Sequence, residues 1–169
     1  MRFASLGSGS RGNALVVEVK RTRLLLDCGF GIRETLARLS RLDLLPEDLT
    51  GILITHEHGD HIGGAVKFAR RYELPVWLTH GTFTNHALAQ TLPDIRLIDG
   101  HSAFQADEIE VQPFPVPHDA REPVQYAFSS GSRRLGVLTD TGGSTPHIEA
   151  ILSGCDALVL ECNHDSDML

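Results

Sequence analysis

Runs of apolar residues, their spacing and the turn signals between them divide this chain into a first half of alternating strands and helices and a second half dominated by strands. Residues 2–6 and 13–19 read as strands on either side of the turn-rich Gly7-Ser8-Gly9-Ser10-Arg11-Gly12. Residues 22–27 form a third strand ending in Asp27-Cys28-Gly29. Over 31–41 the apolar positions Ile32, Leu36 and Leu39 fall at helical spacing. A short β-branched run at 51–55 predicts a buried strand, followed by a helix at about 61–72 carrying Val66, Phe68 and Ala69. After Pro75 come the strand Val76-Trp77-Leu78, Thr79 as the N-cap of a helix over 80–91, and a strand at 95–98. Strands at 108–116, 123–129 and 133–139 then succeed one another with only turns between them. Thr145-Pro146 opens a helix with proline in its first turn, and 156–161 is a final buried strand. Strand-rich blocks with helices outside them predict an α/β sandwich of packed sheets, and argue against a doubly wound parallel sheet.

Composition narrows this picture. The 169 residues suffice for one domain with a core and are too few to expect two; no repeat, linker or low-complexity tract divides them. Aromatic residues make up 6%, so Leu, Val and Ile must build the core. No apolar stretch approaches the roughly 18–20 residues that cross a bilayer, and the first residues carry no signal-like apolar run. Cys28, Cys155 and Cys162 form no C-x-x-C pair, which fits reduced thiols and a cytoplasmic protein. The net charge of −7 argues against a generally basic nucleic-acid-binding surface. The charge is uneven, however: residues 1–80 hold 11 Lys and Arg against 9 Asp and Glu, and residues 81–169 hold 4 against 13. A basic strip containing Arg11, Arg21, Arg23, Arg33, Arg38 and Arg41 is compatible with that balance, as is a merely solvated face.

The chemistry concentrates at Thr55-His56-Glu57-His58-Gly59-Asp60-His61, directly behind the apolar run Ile52-Leu53-Ile54. Three imidazoles and two carboxylates within seven residues repel or desolvate one another unless a cation holds them. The spacing lets His56 and His58 turn toward one point, while Gly59 bends the chain so that Asp60 and His61 converge on a second, so two metal ions are expected. Nitrogen and carboxylate ligands without cysteine suit Zn²⁺ first, with Mn²⁺ or Fe as alternatives. The H-E-x-x-H helix of metalloproteases is excluded, because its histidines must stand four residues apart on one helical face. Further ligands are expected at other strand ends. His118, presented between prolines in Pro115-Val116-Pro117-His118-Asp119, and Asp140, in Thr139-Asp140-Thr141-Gly142, stand out, and a carboxylate at 140 can bridge two cations. His80, His86, His101 and His147 read as structural or solvated. Glu161 and His164, in a polar cluster at a buried strand end, are intermediate.

This constellation resembles the metallo-β-lactamase superfamily. Its H-x-H-x-D-H hallmark is complete as His56, His58, Asp60 and His61, with later matches at His118 and Asp140 and an early structural aspartate at Asp27. Leu6-Gly7-Ser8-Gly9-Ser10-Arg11-Gly12-Asn13 and Glu161-Cys162-Asn163-His164-Asp165 resemble the bacterial YycJ/WalJ-like branch. The resemblance implies a four-layer αββα sandwich. It implies one metal held by His56, His58 and His118, and a second held by Asp60 and His61 with Asp140 bridging. It also implies a 5′→3′ exonuclease acting in DNA repair on single-stranded or 5′-phosphorylated DNA. The superfamily supplies one more histidine to the second metal from a strand beyond Asp140. The chain stops soon after His164, so the resemblance implies a domain incomplete at its C-terminus.

The expected reaction is hydrolysis by a metal-bound hydroxide, with Asp60 and Asp140 as catalytic residues and Asp27 or Glu57 orienting the imidazoles. Two alternatives remain open on the same residues. One is a hydrolase of small esters, thioesters or lactams; the other is a metal-binding module without turnover.

Overall fold

The computed structural model describes residues 1–85, 91–92 and 94–161. The described strands form two sheets. In the first lie β1 (Arg2–Gly7), β2 (Ala14–Val19), β3 (Thr22–Leu26), β4 (Gly51–Leu53), β5 (Val76–Thr79) and β6 (Ile95–Ile98), in that spatial order. β1, β2 and β3 pair antiparallel, whereas β3 to β6 run parallel. In the second lie β7 (Phe104–Ala106), β8 (Ile109–Pro115), β9 (Val124–Ser130), β10 (Arg133–Leu138) and β11 (Ala157–Leu160), in the order β11-β10-β9-β8-β7. Every pair there is antiparallel except β10 with β11.

Helices make the parallel crossovers that hairpins cannot. Helix α1 (Ile32–Leu39) links β3 to β4, α2 (Gly59–Ile62) and α3 (Ala65–Tyr72) link β4 to β5, and α4 (His80–Asn85) follows β5. Helix α5 (Pro146–Leu152) joins β10 to β11. Two predicted caps form: the Thr79 hydroxyl accepts from Thr82 N–H at 3.3 Å, and the Thr145 hydroxyl from Ile148 N–H at 3.2 Å. Of the helix expected over 80–91, residues 86–90 lie outside the described set.

Side-chain alternation sorts the core into layers. Leu24, Leu26 and Leu53 face the second sheet, where they meet Ile109, Val111, Tyr126, Phe128 and Val137. Their neighbours Leu25, Ile52 and Ile54 point the opposite way, against Leu39, Ile62 and Phe68 of the helices. Phe114 and Ala127 likewise turn outward to Ile148 and Leu152 of α5. Helices cover the outer face of each sheet, as an αββα sandwich requires. No helix among the described residues is long and apolar enough to cross a membrane.

The strand directions place the chemistry. The carboxyl ends of the parallel strands β3 and β4 lie on one edge of the first sheet. β8 and β10, each antiparallel to β9, end together on one edge of the second. The two edges are laced to each other: Val124 N–H donates to Thr55 O at 3.0 Å, and the buried Tyr126 hydroxyl donates to Ile54 O at 2.8 Å. The loops after β3, β4, β8 and β10 therefore meet in one place.

Candidate metal centre

The residues after β4 do not stay in a loop. His56 and His58 precede the short helix α2, with His58 at its N-cap position, while Asp60 and His61 lie within its single turn. Gly59 thus starts a helical turn, where the sequence suggested only a bend, and the Gly63-Gly64 pair separates α2 from α3. One pair of ligand candidates points forward from extended backbone and the other sideways from the turn.

His118, after β8, completes the first group. His56 Nε2 lies 3.0 Å from His58 Nδ1, and His118 Nε2 is 3.3 Å from both. A tetrahedral zinc with bonds of about 2.0–2.1 Å to nitrogen needs ligand edges of roughly 3.3 Å. The three nitrogens form such a triangle, so this donor set fits a Zn²⁺-type cation and could hold one.

The second group adjoins the first, the His56 and His61 rings standing 4.2 Å apart between centroids. His61 Nε2 is 3.3 Å from Asp140 Oδ2 and 3.6 Å from Asp60 Oδ2. These distances place two carboxylates beside one imidazole nitrogen, a looser group than the His56–His58–His118 triangle, whose atoms all lie within 4.8 Å of one another. The six residues expected from the sequence therefore gather at one sheet edge, as two adjoining groups.

What orients them is a network that the sequence showed only in part. Asp27 accepts from Thr55 N–H at 2.9 Å through Oδ1, while its Oδ2 lies 2.9 Å from the Thr55 hydroxyl and 2.8 Å from His61 Nδ1. With the Thr55 proton given to Asp27, the Thr55 oxygen accepts from His56 Nδ1–H at 2.9 Å. The network thus assigns Nδ1–H to both rings and turns both Nε2 lone pairs into the centre. Of the two orienting candidates, Asp27 has this role; Glu57 instead accepts from Arg121 N–H at 2.8 Å, holding the loop after β8. Asp119 lies 3.2 Å from His118 Nδ1 and favours the same tautomer there.

Two of these acids occupy left-handed backbone, Asp27 at φ 57° and Asp140 at φ 46°. That conformation disfavours a side chain by about 1–2 kcal/mol, least for Asn and Asp. At each strand end it swings the carboxylate inward, and local bonds hold it there. Asp27 N–H donates to Leu53 O at 2.8 Å, and Asp140 N–H donates to the Glu161 carboxylate at 2.8 Å. Gln125 fixes the preceding residue by donating to Thr139 O at 2.7 Å. Glu161 is thereby a support for Asp140, a role invisible without the β10–β11 pairing.

Asn13 is the other residue that sequence reasoning left without a role. Its N–H donates to Asp60 O at 2.7 Å, and its side-chain oxygen accepts from Gly9 N–H at 2.9 Å. That bond directs Nδ2 to Asp60 Oδ2 at 3.1 Å, beside His61 Nε2. Its position at the end of the glycine-rich loop was the available signal. The approach is close enough to require glycine at 29, where a Cβ would stand 1.8 Å from Asp60 O.

In the metal-free protein the charges organise around His61. Burial opposes its protonation, but Asp27 and Asp140 beside it raise the ring to about 10. Burial, and then the neighbouring His61 charge, pushes His56 down to about 4. Burial would raise Asp140, yet the hydrogen bond and charge of His61 bring it down to about 2. A proton on His61 thus stands in for positive charge that a cation would otherwise supply.

Elsewhere the residues are ordinary. His80, His101 and His147 are exposed, and His86, Cys162 and His164 lie outside the described residues. Cys28 is buried, which pushes its thiol up to about 12. Cys155 is a half-buried free thiol.

The family model for the beta-lactamase superfamily domain matches residues 22–169. The chain is 38% identical to exodeoxyribonuclease YycJ of Bacillus anthracis and 31% identical to exodeoxyribonuclease WalJ of Streptococcus pneumoniae (serotype 2, strain D39), aligning over 100% and 99% of its length. It spans 65% and 64% of those curated relatives. Among solved structures, Zn²⁺-bound PqqB from Methylobacterium extorquens superposes with a TM-score of 0.75 at 18% identity, over 90% of this chain and 62% of that one. Rm3 metallo-beta-lactamase superposes with a TM-score of 0.69 at 16% identity, over 94% and 74%. Two packed sheets clad in helices, a histidine-rich turn at their shared edge and a family match over most of the length agree: the chain belongs to the metallo-β-lactamase superfamily.

Proposed function

We propose that this chain is a metal-dependent phosphodiesterase that degrades DNA as an exonuclease, with two ions, Zn²⁺ first and Mn²⁺ or Fe as alternatives. His56, His58 and His118 would hold one ion; Asp60 and His61 would hold the other, with Asp140 as a further carboxylate ligand. The observation that carries the reading is the triangle of imidazole nitrogens with edges of 3.0–3.3 Å beside the His61, Asp60 and Asp140 cluster. The identity to two exodeoxyribonucleases along the whole of this chain supports the choice of DNA. When bound, such ions supply Lewis acidity, which acidifies an attacking water toward neutral pH and offsets the charge that accumulates on a phosphodiester.

The chain's own residues do the positioning. Asp27 and Thr55 lock the tautomers of His56 and His61, and Glu161 keeps Asp140 turned inward. Asn13 steadies Asp60, which besides holding a cation orients the attacking water.

The test is turnover of 5′-phosphorylated single-stranded DNA by the protein loaded with Zn²⁺ or Mn²⁺, alongside a thioester and a lactam. Release of nucleotides, lost in Asp60→Ala and Asp140→Ala, is expected. Turnover of the thioester or lactam with intact DNA points to the small-molecule hydrolase, and two bound ions without turnover of any substrate to the non-catalytic module. Activity retained in both variants means that the site has been misassigned.

A further inference from the structure

We propose that the Ser8–Arg11 loop is a phosphate-binding subsite for the DNA strand, an inference that rests on the phosphodiesterase reading above. A cavity of about 730 Å³ is lined by this loop together with Phe30, Glu34 and Arg38. Its charges are unequal. Arg38 is committed: it pairs with Glu34 at 2.8 Å, donates to Leu6 O and lies 4.1 Å above the Phe30 ring. Since Glu34 is the only carboxylate among the described residues that line the cavity, the Arg11 guanidinium is left as their uncompensated charge.

The loop's donors are free as well. Gly9 N–H and Gly12 N–H are used internally, on Asn13 Oδ1 and Gly9 O. Ser8, Ser10 and Arg11 make no hydrogen bond, by backbone or side chain, to any described residue. Three N–H groups, two hydroxyls and a guanidinium on one short turn match the acceptor-rich surface of a phosphate.

The loop is also held in fixed register with the metal centre. Two hydrogen bonds separate Gly9 from the Asp60 carboxylate, 2.9 Å to Asn13 Oδ1 and 3.1 Å from Asn13 Nδ2. Below, the loop rests on the Phe30 ring, which a Cβ at Gly7 or Gly12 would approach to 2.7 or 2.6 Å. Gly7, Ser8 and Asn13 also line a second cleft, of about 260 Å³, that extends to Asp27, which supports His61, and to Thr139, which precedes Asp140. Through the Asn13 link, a strand with its scissile bond at the centre presents a neighbouring phosphate to the loop. This gives one local cationic patch to a chain whose net charge is −7.

The experiment uses the Zn²⁺- or Mn²⁺-loaded protein with 5′-phosphorylated and 5′-hydroxyl single-stranded oligonucleotides, and with bis(p-nitrophenyl) phosphate, whose single phosphate, once at the centre, leaves none for the loop. Arg11→Ala is expected to raise KM for DNA about 10-fold, the effect of losing one charge-assisted contact, with kcat unchanged. The slope of log KM against log salt should fall by about 0.7, one phosphate contact on a single strand. Arg11→Lys should restore the slope, and Ser8→Ala with Ser10→Ala should raise KM about threefold, roughly the loss of a neutral hydrogen bond. Turnover of the small diester should not change in any of these. A defect in Arg11→Ala confined to the 5′-phosphorylated strand makes the ligand the terminal phosphate; an equal defect on both strands makes it an internal one. Wild-type cleavage of DNA with unaltered KM and salt slope in both Arg11→Ala and the double serine variant overturns the subsite and leaves the phosphodiesterase reading intact. A wild-type protein that leaves DNA uncut overturns both.

Discussion

Replacing Asp27 by Asn tests whether the site is built through its hydrogen-bonded support. The change keeps shape and volume but exchanges one carboxylate oxygen for an NH₂ donor. Asp27 stands 4% exposed and accepts on both oxygens: Thr55 N–H on one, the Thr55 hydroxyl and His61 Nδ1–H on the other. An amide satisfies at most one side. If its oxygen keeps Thr55 N–H, its NH₂ faces His61 Nδ1, and the ring must move its proton to Nε2, the atom that points at Asp60 and Asp140. Support groups of this kind are worth about 10–100-fold in metal affinity. Removing one partner of a buried ion pair costs about 3–5 kcal/mol. His61, raised to about 10 by Asp27 and Asp140 against its burial, should titrate lower in the variant. The assay is metal content after dialysis, followed by calorimetric Zn²⁺ titration and urea unfolding with chelator. The variant should hold the His56–His58–His118 ion and lose most of the second, and its metal-free form should unfold at lower urea. Two ions bound with wild-type affinity would refute the tautomer argument.

Three further outcomes follow from the same geometry. In the metal-free protein, His56, lowered to about 4 mainly by burial, refuses a proton that the unfolded chain accepts near pH 6.5, so stability falls as pH drops from about 6.5 to 4; His61, raised to about 10, keeps its proton, so its contribution is complete below about 6.5 and is lost as pH rises toward 10. Urea midpoints in chelator should therefore peak near pH 6.5, with each limb on the order of a few kcal/mol, and a monotonic profile would contradict the assignment. Tyr126→Phe removes the buried donor to Ile54 O at 2.8 Å and should destabilise by about 1–2 kcal/mol in chemical denaturation, the effect of an unpaired buried carbonyl. Glu161→Ala frees Asp140 N–H and should lower kcat about fivefold, equivalent to one hydrogen bond, whereas Glu161→Gln retains an acceptor and most of the rate.

Much of the architecture was legible because burial imposes periodicity locally. The alternation of Leu24, Leu25 and Leu26, and of Ile52, Leu53 and Ile54, carries the two-sided burial of a parallel strand between helices and a second sheet. Proline and threonine marked helix starts correctly because capping is a contact within one turn. The three-residue strand β7 escaped notice because it is too short for a period and exists through pairing with β8. The helix over 61–72 was placed too late and drawn unbroken, since packing of Gly64 against Phe30 and Cys28 divides it, a contact across sequence that no local pattern records.

For the site, the division follows the range of the interactions. His56, His58, Asp60 and His61 stood out in the chain because clustered imidazoles and carboxylates are chemically unusual, and their spacing separated them into two pairs; His118 and Asp140 were candidates from their strand-end positions, and the family resemblance assigned them to the pairs. Folding supplied what depends on distant partners: Asp27 rather than Glu57 as the orienting acid, Glu161 reaching Asp140 across the β10–β11 pair, and Asn13 joining a glycine-rich loop to Asp60. Each of these is a hydrogen bond between residues 21 to 47 positions apart. Such bonds exist only once two sheet edges have met, so residue type announces the chemistry while tertiary contact sets its geometry.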